Sequence, residues 1–485
     1  MSERYIVAIE IGSSKIRGAI AVADDAGMVD VIAAEEEKLI DLVRYGCIQN
    51  VDVSKSIDHI CERLENYSRL SQATITGTYV SIGGKSLSSK IVEVSTELPS
   101  EMEITSQLID DLKNKAKAMI DDSRDVVDVV PIKFSVDNKT QVAPVGSYGQ
   151  SVSARMAVIS CQAQIKRMLR RVLTERSKLD INGYIVRPLA EASMVLTDNE
   201  RQLGCMFVDF GAETTTVSIY KSGTLCYLVT LPMGSRNITR DLTSLNYTED
   251  RADEIKRSSG NAMPPEGVRR NSADGIDYTK INNYVHARAA EIVQNILAQI
   301  EYAGLKSTDL PSGIVIVGGG AKLRGFNELL GKQSKMTVRV GSVGGPVRVS
   351  DGAIHVSDNI DVIATLLAAS KLPDAECVEF PPVDDAEQKS SATGSYEDLY
   401  ANSDDDGVSR IGRGYDDDDN DNSSRNKKSK DSKDKNRDVK RKHPSDSFDD
   451  EQPEEDEEKN SGNSLFSGIR KRLSNIWGGD DSFEG

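Results

Sequence analysis

Two stretches about 200 residues apart share one grammar, and that repetition limits the fold more than any other feature of the chain. Tyr5-Ile-Val-Ala-Ile-Glu-Ile-Gly12 runs through Ser13-Ser14-Lys15 into Ile16–Val22. Cys205-Met-Phe-Val-Asp-Phe-Gly211 runs through Ala212-Glu-Thr-Thr-Thr216 into Val217–Tyr220. Each reads as strand, acid-x-Gly, hydroxyl-rich turn, strand. Such a turn presents backbone N–H groups and hydroxyls that can wrap phosphate oxygens, and the carboxylate before it can hold a metal ion through water. One copy is any glycine turn between strands. A pair at this spacing implies two lobes, each offering a phosphate-facing turn. The candidate ligand residues are Gly12, Ser13, Ser14, Lys15, Gly211, Thr214 and Thr215, with Glu10 and Asp209 as the candidate metal carboxylates.

A third element, Ser312-Gly-Ile-Val-Ile-Val-Gly-Gly-Gly-Ala321, reads as a buried strand ending in Gly318, Gly319 and Gly320. Without side chains there, a flat ring or a phosphate can come close to the backbone. Arg187–Leu196 follows the strand Asn182–Val186 and has Pro188 suited to a first helical turn. Ile281–Ala303 reads as a long helix with Ile292, Ile296 and Ile300 on one face. Residues 1 to 373 exceed what one compact core holds, which again argues two lobes.

The net charge of -17 is not spread evenly. Between Asp374 and Asn463 there are 28 acidic and 14 basic residues, so the acidity belongs to this tail and the body is nearly neutral. Apolar residues are sparse in the tail, the signature of a disordered tether. Its basic block Lys427–Lys442 is flanked by carboxylates and lacks aromatics, which argues against nucleic acid. Beyond it, residues 464–479 form an amphipathic pattern. At about 100° per residue, Leu465, Phe466, Ile469, Leu473, Ile476 and Trp477 share one arc with Arg470 and Arg472 at its edges. An apolar wedge flanked by basic residues suits a lipid headgroup layer. Six cysteines without paired spacing suggest thiols of a reducing compartment. No signal peptide or spanning segment is legible, so the expected location is the cytoplasmic face of the cell membrane.

The order of these elements resembles the actin–Hsp70–sugar kinase fold, an α/β two-lobed ATP clamp, and within it the bacterial cell-division FtsA family over nearly the whole length. Three features carry the second resemblance. One is the insert containing Val80-Ser-Ile-Gly-Gly-Lys85, Val129–Asp137 and Ala154–Ile159. Another is Leu231-Pro-Met-Gly-Ser-Arg-Asn-Ile-Thr239 with Ala252–Gly260. The last is the acidic linker ending in an amphipathic helix. The implied map is a first-lobe core at 1–80 and 166–200, an inserted small subdomain at 81–165, and a second-lobe core at 201–231 and 311–373. A second-lobe small subdomain follows at 232–310, then a disordered linker at 374–463 and a membrane-targeting helix at 464–479.

The resemblance further implies ATP and Mg2+ as cofactors and actin-like self-polymerisation. It also implies capture of the C-terminal peptide of the ring protein FtsZ near Asn237, Arg288 and Glu291, contact with later division proteins, and a place at the division site. Lys256 matches a family position near the ribose. The chain departs from the family at several points. Glu10 stands where Asp is usual, Ala212 and Glu213 replace glycines, Thr216 replaces a carboxylate, and Arg187 stands where Glu is common. Glu213 would bring a carboxylate close to phosphate oxygens unless it turns away. With the machinery that orients a hydrolytic water depleted, Glu10 and Glu191 are the remaining catalytic candidates, and ATP binding with slow or negligible turnover is expected. The competing readings are a sugar or acid kinase of the same superfamily and a rod-shape or pilus-assembly actin homologue.

Overall fold

In the computed structural model the apolar run Cys205–Phe210 is buried on both faces. Cys205 and Phe207 face one hydrophobic core, while Met206, Val208 and Phe210 face another, the period-two alternation of a strand between two layers. The structure describes residues 4–24, 26–67, 70, 72–264, 275–349, 358–373 and 376–381. The expected linker, apart from residues 376–381, and the whole amphipathic segment from Leu465 to Trp477 lie outside the described residues.

Both hairpins form. Arg4–Ile11 pairs antiparallel with Lys15–Ala23, ending with Ile11 opposite Ile16. Cys205–Phe210 pairs with Thr215–Lys221, ending with Phe210 opposite Thr215. The first hairpin lies in a six-stranded sheet ordered Asp180–Val186, Gly77–Ile82, Arg4–Ile11, Lys15–Ala23, Val29–Lys38, Val347–Val349. The second hairpin lies in a nine-stranded sheet beside Ile314–Val317, whose parallel pairing sets Val317 next to Asp209. The acid of each hairpin therefore sits at the carboxyl-terminal end of an interior strand, where the glycine-rich turn also opens.

The long helix Tyr278–Tyr302 buries Ile281, Val285, Ala289, Ile292, Ile296 and Ile300 against the second core. The insert has a core of its own. Ile109, Leu112 and Ala116 of the helix Ser106–Lys117 cover Val92, Phe134 and Met156 of three long strands. Thr105 starts that helix by accepting the Leu108 N–H.

One expectation needs correcting. The sequence map assigns residues 311–373 wholly to the second lobe, but the chain crosses back after Val340. Val347–Val349 extends the first sheet beside Val29–Val31, and Ile360–Ala369 packs into the first core. The physical reason is that this helix buries Ile360, Val362, Ile363, Ala364, Leu366 and Leu367 around most of its girth and needs cover on several sides. The inserted subdomain, besides holding its own core, is edge-joined to the second lobe. Ser88 pairs with Val229, Thr230 N donates to Leu87 O at 3.1 Å, and Leu228 N donates to Ser89 Oγ at 2.9 Å. No helix among the described residues is long and apolar enough to cross a membrane. All six cysteines are free thiols.

Candidate functional site

The two turns are built alike. Gly12 N donates to Lys15 O and Gly211 N donates to Thr214 O, each at 2.9 Å. A Cβ on either glycine would stand 3.0 Å from that carbonyl, so glycine is what lets the turn close. Some of the candidate groups are already engaged. Ser13 Oγ accepts Gly46 N at 2.9 Å, Thr215 Oγ1 donates to Met233 O at 2.8 Å, and Lys15 Nζ sits 2.6 Å from Glu36. Ser14 and Thr214 make no side-chain hydrogen bond among the described residues, so theirs are the hydroxyls left to face a ligand.

Between the turns lies Arg187, the first residue of the helix Arg187–Val195, whose start Pro188 favours. Its Nη1 donates to Glu10 Oε1 and its Nη2 to Asp209 Oδ2, both at 2.7 Å. One guanidinium thus joins the acids of both lobes. Glu191 Oε1 lies 3.7 Å from Arg187 Nε, and Arg17 Nη1 binds Asp361 at 2.5 Å while standing 3.8 Å from Glu10 Oε2. Arg17 and Asp361 are not among the residues the sequence singles out. Arg17 had a local signal, because the hairpin register places it directly opposite Glu10. Asp361 had none, since its helix comes from the far end of the body.

Burial dominates the titration of this cluster. It raises Glu10 to about 7, with Asp361 adding to the rise and Arg187 and Arg17 opposing it. Burial and then the Asp209 charge push Glu191 well above the carboxylate range, and burial also raises Asp209. For Arg187 burial works against the charge, but Asp209, Glu10 and Glu191 outweigh it and hold the guanidinium protonated.

Glu10 and Asp209, the expected metal pair, do not fit an ion between them. An oxygen of each is committed to a cation that does not deprotonate. Unit charges about 4 Å apart interact by about 4 kcal/mol at an effective dielectric of about 20, and a divalent ion would face about twice that in repulsion from the guanidinium. Among the described residues no cluster of three or more acidic, His or Cys side chains forms a metal cage.

Glu213 turns away from the space between the turns. Buried at 1% exposure, it accepts Tyr45 N at 2.7 Å, Arg236 Nη1 at 3.2 Å and Arg240 Nη2 at 2.6 Å. Tyr45 and Gly46 form a tight turn, both at positive φ, pinned by Lys85 N donating to Tyr45 O at 2.9 Å. A tyrosine in the left-handed region is strained, and it is held there by the Glu213 carboxylate of the second lobe and the Lys85 N–H of the insert. Thr216 points into the sheet, its Oγ1 3.0 Å from Thr230 Oγ1.

The three glycines that follow Ile314–Val317 differ. A Cβ at Gly318 would lie 2.5 Å from Phe210 O, and one at Gly320 would lie 2.5 Å from the Phe210 ring, which stacks on Phe326 at 4.4 Å. Only Gly319 faces open space. Lys256 is largely buried, with its ammonium bound to Asp253, Thr239 and Ser235 O at 2.6, 2.7 and 3.4 Å. Burial lowers its pKa while Asp253 resists the change.

The partner candidates lie on the helices Ser235–Thr243 and Tyr278–Tyr302. Arg288 grips Asp241 with two bonds, 2.5 and 2.9 Å, and Glu291 with one of 2.5 Å. Asn237 Oδ1 accepts Gly234 N at 2.9 Å and so helps to start the helix Ser235–Thr243. Beside this clasp is a cavity of about 460 Å³ lined by Arg240, Asp241, Ser244, Asn283, Tyr284 and Ala287.

Comparison with known proteins agrees with this architecture. Residues 206–359 match the family model described as cell division protein FtsA, and residues 84–160 match the SHS2 domain inserted in FtsA. The cell division protein FtsA of Porphyromonas gingivalis is 31% identical over 376 residues, covering 74% of this chain and 77% of that protein. That of Escherichia coli K12 is 24% identical over 363 residues, covering 70% and 84%. Among solved structures, the PilM–PilN type IV pilus biogenesis complex matches with a TM-score of 0.56 at 14% identity, covering 76% of this chain and 99% of that one, which shows the actin-like fold. With its inserted SHS2 domain, its paired hairpins and these relatives, this chain belongs to the FtsA family of actin-like cell-division proteins.

Proposed function

We propose that this FtsA-family chain acts as a division-site scaffold that holds FtsZ filaments at the cytoplasmic face of the membrane. The observation that carries the FtsZ part is the cavity beside the Arg288–Asp241–Glu291 clasp. An extended peptide with a carboxylate could lay apolar side chains against Tyr284 and Ala287 and present its acid to the part of the Arg288 fork that the clasp leaves over. Asn237 lies on the neighbouring helix, Ser235–Thr243.

ATP is the cofactor we assign to the cleft between the hairpins. Ser14, Thr214 and the backbone of both turns would face its phosphates, and the open backbone at Gly319 would face its adenosine. The cleft residues favour binding over turnover. Glu10 and Glu191 are tied into a buried ionic cluster, and neither has a free approach to a hydrolytic water of the kind this chemistry needs. Self-assembly into an actin-like filament would place many copies of the Leu465–Trp477 segment on one polymer. Linked weak lipid contacts then add up to a firm hold.

The deciding measurement is fluorescence anisotropy of a labelled FtsZ C-terminal peptide titrated with the full chain. Binding that weakens at least about tenfold in Arg288→Ala supports this reading. Equal binding by wild type and variant, or none by either, rejects it in favour of another actin-like role.

A further inference from the structure

Arg187 occupies a built position. Its guanidinium is held at 2.7 Å by one carboxylate from each lobe, and its side chain is 12% exposed. Room for it comes from Gly83, where a Cβ would stand 3.2 Å from the guanidinium carbon. Pro188 and the buried Ala190, Ala192 and Met194 fix the helix that carries it. The cation is therefore anchored through the backbone and is present whenever the cleft is closed. Exchange with solution ions does not enter.

We propose that Arg187 is an internal replacement for the divalent metal ion of this cleft, so that nucleotide is held without one. The second half rests on the cleft being a nucleotide site, while the first does not. Two carboxylates facing each other across a cleft need a positive charge between them. A divalent ion supplies it only when bound, whereas a guanidinium whose two terminal nitrogens reach both acids supplies it permanently and with fixed direction. The same group can offer its charge to a phosphate lying against the turns, which is the other service a bound cation gives.

Four carboxylates (Glu10, Glu191, Asp209 and Asp361) surround two guanidiniums, Arg17 and Arg187, and among the described residues Glu10 Oε2 and Glu191 Oε2 find no hydrogen-bond partner. That surplus of negative charge is answered either by retained protons or by an ion, and a metal titration tells them apart.

The test uses the full chain and Mn2+ alone, with bound ion counted by electron paramagnetic resonance. Weak sites on the acidic tail are common to all variants and cancel in the comparison. Wild type and Arg187→Lys are expected to show only those weak sites. Arg187→Gln should gain one site at least about tenfold tighter, and Arg187→Gln combined with Asp209→Asn should lose it again. A tight site in wild type that Asp209→Asn removes overturns the proposal, and this arm stands even if Arg187→Gln fails to fold. In parallel, the affinity of a fluorescent ATP analogue should change less than about twofold between Mg2+ and EDTA for wild type. A loss of about tenfold in EDTA overturns the proposal. If no analogue binds under either condition, the nucleotide reading and the second half of the proposal fall together, and the Mn2+ count alone decides the first half.

Discussion

The Glu213 carboxylate, raised on the second lobe's turn, accepts the backbone N–H of Tyr45 in the first lobe at 2.7 Å, while Arg236 and Arg240 hold its other oxygen. The contact spans the cleft mouth and depends on a turn whose tyrosine has φ of 51°. Glu213→Ala removes the acceptor, takes the carboxylate from Arg240 and leaves Arg236 with Glu249, 3.6 Å from its Nε. A hydrogen bond to a charged group contributes about 1.5–3 kcal/mol, so a loss of about 2 kcal/mol in denaturant unfolding is expected. Small-angle scattering should show a wider distribution of lobe separations. Glu213→Gln, which keeps both acceptor and shape, should recover the scattering profile more fully than the stability.

Glu10 gives a signature in pH. Burial raises its pKa from 4.5 to about 7. A carboxyl that holds its proton more tightly when folded lends stability that is complete below about 4.5 and is lost as pH climbs through that window toward 7. Glu10→Gln keeps an acceptor for Arg187 and cannot ionise. Relative to wild type it should gain stability between about pH 5 and 7.5, and the two curves should converge near about pH 4. Parallel curves across that range would refute the assignment.

The glycine loop separates packing from recognition. Gly320→Ala forces a methyl against the Phe210 ring and should cost about 1–3 kcal/mol of stability, as overpacking does. Gly319→Ala meets nothing within 4 Å and should leave stability within about 0.5 kcal/mol. If adenosine lies against this backbone, Gly319→Ala should still weaken nucleotide binding about tenfold, which isothermal titration would read directly.

We propose that lipid attachment runs through the segment 464–479. Burying a large apolar side chain in full contributes about 1.5–3 kcal/mol, and a basic residue near anionic lipid about 1 kcal/mol. Ordering about fourteen residues opposes this at about 1–2 kcal/mol each before helix hydrogen bonds, so a single segment holds weakly. In co-sedimentation with anionic liposomes, the full chain should pellet and a chain ending at Asn463 should not. Trp477→Glu should release most of the protein.

The hairpins are legible in the sequence because everything that makes them is local: an apolar run, an acid, a glycine and hydroxyls within about a dozen residues. The three glycines after Ile314–Val317 are equally visible, but their separate duties depend on where the Phe210 ring lies. Arg187 stands out as a departure, yet its partners are 177 residues before it and 22 after it, so its bridging role is a fact of topology. The same holds for Glu213 and Tyr45, 168 residues apart. The helix Ile360–Ala369 goes to the wrong lobe on sequence alone because an apolar helix announces burial without saying against which sheet.

The pairing of Ser88 with Val229 has a mechanical consequence. Because the inserted strands are stitched to the second lobe's sheet, the halves of the body are joined at a lateral seam as well as through the chain crossings at the cleft. A simple jaw-like swing would tear backbone bonds along that stitch. Motion that spares it has to be a twist about the seam. Any change in cleft state would then reappear as a rotation of the insert.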